Sequence, residues 1–496
     1  MNRNRREFLH ESARLGVLVV AGSSLWRNVN LRAQVQAGRE LVTLSIAELV
    51  VLLESGRITS RQLVEQSLAA IKDPAGEGAR TFLLVHEKEA VATADRVDAQ
   101  RRNGVKLPPL AGIPVSIKDL FDEAGVVTLG GSTILAGAPP ATRDSTVVAR
   151  LKKAGAVIVG RTNLTEFAYS GIGINPHYGT PKNAYDRATG RIPGGSSSGA
   201  AISVTDGMAA GAIGTDTGGS IRIPAALNGL VGFKPTARRV PLDGVLPLSK
   251  SLDSAGPIAK TVSDCALLDH VLAGVTRGVP AAARLRSLRL GVPKTVVQDD
   301  LSADVARAFS AALERISAAG AAVVDLPMRE FAQAAVVSAR GAFAAFEAAS
   351  FHRQWLMDRG NEYDPRVRAR FRAGEELTET GYRELLKLRE RFIQSIVAAA
   401  AGYDALLMPT TPDTAPTIAE ATADDASYFR INGRMLRNTS LVNLFDGCAL
   451  SLPCHETGSA PVGLMIAGPQ NSDVRLLAVG RALEEVLSGA RNRDSF

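Results

Sequence analysis

Two glycine–serine turns in the middle of the chain hold residues that could act as nucleophiles. Ser196 and Ser220 each follow a pair of glycines, in PGGSSSG and GTDTGGSIR, and lie 24 positions apart. Glycine allows backbone conformations that other residues rarely adopt. The segment between them, 200–212, is rich in alanine and predicts a short, tightly packed helix, which Gly207 and Gly211 weaken. We therefore expect tertiary folding to build one site from both turns.

A serine hydroxyl is a weak nucleophile and needs a base within hydrogen-bond reach. Lys118 ends an apolar, β-branched run in GIPVSIKDLF (112–121). Burial disfavours the charged ammonium and lowers the pKa of a lysine, so that it can accept a proton near neutral pH. A lone lysine after a strand is usually a surface charge, and a Gly-Gly-Ser turn is usually only a turn. The hydrolase interpretation depends on all three residues together.

Two other interpretations of the first turn are open. Its composition alone would allow a flexible linker. GSSSG (195–199) also satisfies the nucleophile-elbow pattern of the α/β-hydrolases, with Ser197 as nucleophile and Asp446 and His455 as the acid and base. The elbow requires a strand that ends at the serine, and residues 183–193 do not have the pattern of a buried strand.

The three motifs and their spacing resemble the amidase signature family of serine hydrolases. Lys118 in PVSIKD, Ser196 in PGGSSSG and Ser220 in GGSIR match the family's motif positions. The resemblance extends over residues 40–485. It includes four further segments: TNLTEFA (162–168), NPHYGTPKN (175–183), GLVGFKPT (229–236) and LDSAGPIAKTVSD (252–264).

The resemblance implies a catalytic triad without histidine. In it, a neutral Lys118 and Ser196 relay a proton, the Gly195–Ser196 peptide bond is cis, and Ser220 is the nucleophile that forms an acyl-enzyme. The oxyanion needs preorganised donors, and successive N–H groups of a glycine turn can supply them. The candidate donors are the backbone N–H groups of Thr217, Gly218, Gly219 and Ser220. We expect Ser197 to add a hydrogen bond within the relay, and Asp216 and Arg222 to hold the shape of the turn.

The pattern along the chain predicts an α/β fold. Residues 41–71 show helical periodicity, with Ser45 and Thr59 or Ser60 as N-caps. Helices are also expected at 145–155 and 304–320. Short apolar runs predict buried strands at 112–117, 156–160, 288–293, 404–410 and 449–454. The resemblance implies a central mixed, twisted sheet covered by helices on both faces, with a helical variable region at 330–400 that contributes to the substrate pocket.

The first 37 residues are typical of a twin-arginine export signal. Arg5 and Arg6 precede an uncharged run from Leu15 to Trp26, which is too short to span a bilayer but suits a signal peptide. Cleavage is expected after Ala33 or Ala37, which leaves 38–496 as the amidase domain. The expected location is periplasmic or secreted.

Composition restricts the partners. The formal charge of +7 includes +4 from residues 1–37, so the remainder gives no reason to expect nucleic acid or, after signal cleavage, a membrane as partner. Six scattered histidines and three cysteines show no metal-ligand spacing, and we expect no metal and no cofactor. Pairing of Cys448 with Cys454 is left open, as is monomer or homodimer. The expected partner is a small-molecule amide.

These observations predict an exported serine amidase that converts a carboxylic amide to a carboxylate and an amine or ammonia. Within the same family, a carbamate, ester or aryl-acylamide hydrolase is the alternative. A binding protein that keeps the fold without turnover is another, although all three triad positions are filled. The family also includes an amidotransferase component that acts on charged transfer RNA inside the cell, and an export signal argues against that role.

Overall fold

A computed structural model describes residues 43–276, 278–338 and 343–491. The predicted signal segment, residues 1–37, lies outside the described residues. None of the helices within these residues has the length and hydrophobicity of a membrane span.

Eleven strands of the described chain form one mixed sheet. The strands are β1 Phe82–Val85, β2 Pro114–Lys118, β3 Val157–Thr162, β4 Gly211–Asp216, β5 Val231–Lys234, β6 Ser254–Ala259, β7 Arg289–Pro293, β8 Ala322–Leu326, β9 Ala405–Pro409, β10 Cys448–Pro453 and β11 Gly463–Gly468. Their order in the sheet is β1-β3-β2-β4-β6-β5-β10-β11-β9-β7-β8. β2 lies parallel to β3 and β4, and β7 lies parallel to β8 and β9, whereas the other neighbours are antiparallel. The predicted α/β class and mixed sheet are confirmed.

Both faces of the sheet are covered. Successive residues of a strand point to opposite faces, yet every residue of the eight strands β2 to β6 and β9 to β11 is buried. Exposed positions occur instead in β1, β7 and β8, which lie at or next to the edges. The apolar runs that predicted β2, β3, β9 and β10 follow from this burial.

Sixteen α-helices surround the sheet in the described chain. They are α1 Ile46–Glu54, α2 Ser60–Lys72, α3 Gly78–Thr81, α4 Glu87–Arg102, α5 Thr146–Lys153, α6 Ser198–Thr205, α7 Arg222–Leu227, α8 Val262–Ala273, α9 Ala303–Ala318, α10 Gln333–Ser338, α11 Phe343–Arg359, α12 Pro365–Gly374, α13 Glu379–Ala399, α14 Ile418–Thr422, α15 Asp425–Leu444 and α16 Asp473–Arg491. Ser45 and Thr59 cap α1 and α2 through capping boxes, which decides between Thr59 and Ser60.

The prediction of one helix across 200–212 is only partly correct. The helix α6 ends at Thr205, Gly207 has a φ of +67°, and the chain then enters β4 at Gly211. A left-handed glycine is a common way to end a helix. The small residues of this segment serve close packing on both sides of the turn, because α6 packs against β4 and its residues 198–204 are all buried.

Candidate active site

The three predicted triad residues meet at the carboxyl-terminal ends of the neighbouring strands β2 and β4. Lys118 is the last residue of β2, and Ser220 lies in the turn that follows the parallel strand β4. The carboxyl ends of neighbouring parallel strands meet at the same edge of a sheet, where crevices form. Ser196 lies just before α6, and the backbone N–H of Ser197 donates to the Ser220 carbonyl at 3.3 Å. The two glycine–serine turns are therefore in direct contact.

Lys118 is fully buried and is surrounded by hydroxyl groups. Its Nζ donates to Ser196 Oγ at 2.7 Å and to Thr215 Oγ1 at 2.8 Å. No carboxylate of the described residues lies within ion-pair distance of this amine. Burial lowers the pKa of Lys118 to about 7, although the charges of Asp253 and Asp216 act in the opposite direction. A neutral form of the amine is therefore accessible near neutral pH, and this form can accept a proton.

The peptide bond between Gly195 and Ser196 is cis, as predicted. The Ser196 carbonyl accepts hydrogen bonds from the N–H groups of Thr165 at 3.2 Å and Ser198 at 2.9 Å. A Cβ atom added to Gly195 would lie 2.4 Å from the Gly173 nitrogen, so glycine is needed at this position. No hydrogen bond joins the hydroxyls of Ser196 and Ser220 in the described chain. Hydrogen bonds of catalytic groups are often long in a site without substrate.

The Ser220 turn depends on a close approach of the backbone to α15. Gly219 has a φ of +139°, and a Cβ atom there would lie 2.2 Å from the Thr439 hydroxyl. That hydroxyl donates to the Gly218 carbonyl at 2.7 Å. Among the described residues, none accepts a hydrogen bond from the backbone N–H groups of Thr217, Gly218, Gly219 and Ser220. Three of these four residues, Thr217, Gly218 and Ser220, also line the cavity in front of this turn.

Asp216 and Arg222 form a fully buried ion pair beneath the turn. The guanidinium donates to both carboxylate oxygens, at 2.9 and 3.0 Å, and to the Asn443 side-chain oxygen at 2.6 Å. Asp216 Oδ2 also accepts from the Ile221 N–H at 3.1 Å. Burial raises the pKa of Asp216, but the charges and hydrogen bonds around it, first of all Arg222, hold it at about 2. The pair therefore stays ionised and ties both ends of the turn together.

A cavity of about 200 Å³ opens in front of this turn. Thr217, Gly218 and Ser220 lie in its wall. Apolar side chains form much of the remainder: Ala168, Leu248, Leu252, Phe343, Leu436 and Leu444. A mostly apolar cavity with a few polar groups beside a nucleophile is the usual form of a small-molecule site.

Arg370 is the one arginine or lysine in the described lining of this cavity. It is half-buried on α12, where its Nη1 donates to the Tyr169 carbonyl at 2.8 Å and its guanidinium lies 4.0 Å from the centre of the Tyr169 ring. No ion pair joins it to a described carboxylate. Arg370 is therefore a charged residue in the cavity lining for which the described chain offers no ion-pair partner.

The nucleophile-elbow arrangement is not assembled. The residues before Gly194 form no strand, and the Ser197 hydroxyl donates to the Thr215 carbonyl at 3.3 Å. Asp446 accepts from Arg238 at 2.7 Å, and its other oxygen has no hydrogen-bond partner in the described chain. The His455 ring lies against Gly229, at the end of α7. Ser197 supports the Thr215 backbone and does not bond to Lys118 or Ser196.

Four contacting residues were not identified from the sequence. Thr215 lies inside the GTDTGGSIR motif and could have been found as a hydroxyl next to the turn. Thr439 and Asn443 lie on α15, more than 200 positions beyond the turn, and no local pattern marks them. Asp253 lies in the LDSAGP segment, and its carboxylate accepts from the Thr217 hydroxyl at 2.5 Å.

The described residues contain no disulfide bond and no metal-binding group of side chains. Cys265, Cys448 and Cys454 are buried and form no disulfide, so Cys448 and Cys454 are not paired. The latter two lie at opposite ends of β10, too far apart for a disulfide. Within residues 43–276, 278–338 and 343–491, no three His, Cys, Asp or Glu side chains form a group that could hold a metal ion.

Comparison with known proteins places this geometry among amide hydrolases. The sequence model of the family described as Amidase matches residues 62–477. The chain is 36% identical over 454 residues to a 2-amino-5-chloromuconic acid deaminase of Comamonas testosteroni, and the match covers 90% of this chain and 96% of that protein. It is 35% identical to one of the subunits of the Glutamyl-tRNA(Gln) amidotransferase of Streptomyces coelicolor, with 90% and 96% covered.

A crystal structure of an amidase has the same fold. It superimposes with a TM-score of 0.81 at 34% sequence identity, and the match covers 90% of this chain and all of that one.

Proposed function

Since this chain belongs to the amidase family and is a hydrolase of amide C–N bonds, we propose that it works through an acyl-enzyme on Ser220. The observation that carries the proposal is the buried Lys118. Its Nζ donates to the hydroxyls of Ser196 and Thr215, at the same strand ends where Ser220 lies. Burying an amine without a counter-charge costs folding free energy. A role in stability therefore does not explain why Lys118 is buried at this position.

The proposed first half-reaction consumes the amide. Neutral Lys118 takes the Ser196 hydroxyl proton while Ser196 takes that of Ser220, and Ser220 Oγ attacks the carbonyl carbon. The oxyanion of the tetrahedral intermediate accepts hydrogen bonds from the backbone N–H groups of residues 217–220. Collapse breaks the C–N bond, and the proton returns through Ser196 to the leaving amine or ammonia. Fixed donors aimed at a developing charge usually supply a large part of such catalysis.

The second half-reaction restores the enzyme. Water replaces the amine in the site, gives up a proton through the same relay and attacks the ester carbonyl of the acyl-enzyme. Ser220 leaves with that proton, and the product is a carboxylic acid, which gives up its remaining proton to water and becomes a carboxylate. A carbamate or an ester would pass through the same steps, so the panel that tests the proposal contains amides, carbamates and esters. The proposal requires turnover of amides by the purified protein.

The presence of Arg370 in the cavity lining favours a substrate that carries an anionic group. Arg370 lines a mostly apolar cavity, and no described carboxylate forms an ion pair with it. Charge-assisted hydrogen bonds to a carboxylate are strong in such surroundings. One relative is named for its action on an acid, 2-amino-5-chloromuconic acid. We therefore propose a small amide that carries a carboxylate away from the scissile bond.

Replacing Arg370 with glutamine should lower kcat/KM for a carboxylate-bearing amide about 100-fold, because a charge-assisted hydrogen bond is lost. The neutral isostere of the same amide should change by no more than about threefold. Steady-state kinetics with the two substrates measures the difference. Arg368→Gln is the matched control, since Arg368 lies on the same helix but bonds to Gly360 and Asn361. Equal losses for both substrates would contradict a carboxylate site.

Export by the twin-arginine route is a further proposal. It rests on Arg5 and Arg6 and the uncharged run that follows them. Replacing both arginines with lysine should leave the precursor uncleaved in the cytoplasm, as measured by fractionation and the mass of the N-terminal peptide. Unchanged export of the double variant would rule out this route. The proposed partner outside the cell is a small amide, with the chain as a monomer or homodimer.

A further inference from the structure

A buried carboxylate links the Ser220 turn to residues 248–252, a loop that also lines the cavity. Asp253 lies just before β6 and is 7% exposed. One oxygen accepts from the Thr217 hydroxyl at 2.5 Å, and the other accepts from the N–H groups of Leu248 and Ser249, both at 3.0 Å. Leu248 and Thr217 both line the cavity. One side chain thus holds two walls of the site together.

A second carboxylate holds the same loop from the helical side. Glu347 on α11 accepts from the Ser249 hydroxyl at 2.6 Å and from the Ser251 N–H at 3.1 Å, and it also accepts from the Tyr382 hydroxyl of α13. Arg389, also on α13, donates to the Ser251 carbonyl at 3.3 Å. Residues 248–252 are therefore held by Asp253 on the sheet side and by Glu347 from the helical region.

We propose that Asp253 is a positioning residue for the hydrolysis: its carboxylate fixes Thr217, the first residue of the oxyanion turn, and couples that turn to the helix bearing Glu347. This inference rests on the proposed function. Asp253 does not touch the reacting atoms. It acts through the direction of the Thr217 side chain, and hence through the backbone N–H groups of residues 217–220.

The hydrogen bonds show why a carboxylate is needed. The two oxygens of Asp253 together accept three hydrogen bonds, two from N–H groups and one from a hydroxyl. Asparagine has one acceptor oxygen, and its NH₂ group would face a donor. An amide of the same shape therefore cannot hold both the loop and Thr217, and one of the two must move.

The charge of Asp253 also acts on the relay. On the sheet side its charge acts on Lys118, as does the charge of Asp216. On the helical side it interacts with the charge of Glu347. Glu347 in turn accepts a hydrogen bond from Tyr382 and interacts with the charge of Arg389. Burial and the nearby Glu347 raise the pKa of Asp253 to about 6, against its hydrogen bonds. When ionised, Asp253 raises the pKa of Lys118. Removing the charge should lower the pKa of Lys118 and move the acid limb of the rate profile to lower pH.

The test compares Asp253→Asn with wild type on an amide that the wild type hydrolyses, across a pH range of about 5 to 9 that brackets both groups. We expect kcat to fall about 100-fold with KM changed less than about threefold, as for loss of an oxyanion donor. The acid limb of kcat/KM should move down by about one pH unit. Asp264→Asn is the matched control: Asp264 is also buried with a pKa raised to about 6, but it accepts from the Ala47 N–H, away from the site.

Thr217→Val is the second variant, because it removes the hydroxyl and leaves the Asp253 charge in place. It should lower kcat about tenfold or more and leave the acid limb within about 0.3 pH units, since one hydrogen bond is lost and no charge. The inference is overturned if a folded Asp253→Asn keeps the wild-type kcat and acid limb. Should Asp253→Asn not fold, an unchanged kcat in Thr217→Val overturns it. A wild type that hydrolyses no amide overturns the proposed function and this inference with it, whereas an active wild type with unaffected variants overturns the inference alone.

Discussion

Replacing Ser220 with alanine should lower kcat for amide hydrolysis by about 10⁴-fold or more, while substrate still binds. The proposed acyl-enzyme cannot form without this hydroxyl, and removal of a nucleophile typically has effects of this size. The turn should keep its shape, because Gly219 and the Asp216–Arg222 pair determine it and Ser220 Oγ makes no hydrogen bond to the described residues. Single-turnover kinetics and the loss of the burst of leaving group measure the effect.

Two control variants separate this effect from general damage to the site. Ser198→Ala removes another buried hydroxyl, which donates at 3.5 Å to the Asn163 carbonyl, and should leave kcat within about threefold of wild type. His455→Ala should likewise keep most of the activity, because Ser197 and Asp446 make their hydrogen bonds to other groups. Abolished turnover in His455→Ala together with an active Ser220→Ala would favour the nucleophile-elbow arrangement and contradict ours.

Replacing Lys118 with methionine should lower kcat/KM by about 10³-fold, within the range of a general base. The same variant should lose the pH dependence that belongs to this amine. Because burial lowers the pKa of Lys118 to about 7 and the proposed base is the neutral form, wild-type kcat/KM should be highest above pH 7. Below pH 7 the amine is protonated, and the rate should fall about tenfold per pH unit.

Lys260→Met is the matched control for the lysine. Its pKa is lowered to about 8 by burial as well, but it lies beyond β6, beside Asp264. This variant should keep both the wild-type rate and the acid limb near pH 7. An active Lys118→Met with an unchanged acid limb would show that another group is the base, and far-UV circular dichroism would confirm that both variants are folded.

The sequence was sufficient where one short segment carries both the element and the chemistry. The run PVSIK predicts a buried strand, and its last residue, Lys118, is at the end of that strand in the structure. Two glycine pairs predict two turns, and the structure brings them into contact. The strands β2, β3, β9 and β10 were predictable for the same reason, since burial of both faces makes them continuous apolar runs.

The sequence was not sufficient where contacts join distant segments. Thr439 and Asn443 reach the Ser220 turn from α15, and Glu347 reaches the 248–253 loop from α11. Those positions are ordinary polar residues on helices until the fold places them. The helix at 198–205 and the strand at 211–216 are both built from small residues, so composition could not show where one ends and the other begins.

The resemblance to a family added the roles of the residues but not all of their contacts. Ser197 was expected within the relay, yet its hydroxyl bonds to the Thr215 carbonyl, because the first turn of α6 directs it towards β4. Thr215 instead provides the second hydroxyl on Lys118. Both hydroxyls lie inside the motifs, and only the packing decides which of them bonds to Lys118.

Trapping the enzyme with a fluorophosphonate and locating the added mass by peptide mass spectrometry tests the central claim most directly. The reagent forms a bond to the activated serine and releases fluoride, so the adduct marks the nucleophile itself. We predict that the added mass lies on Ser220, that Lys118→Met greatly slows the labelling, and that Ser220→Ala abolishes it. An adduct on Ser197, or labelling that is equally fast in Ser220→Ala, would contradict the assignment of the nucleophile.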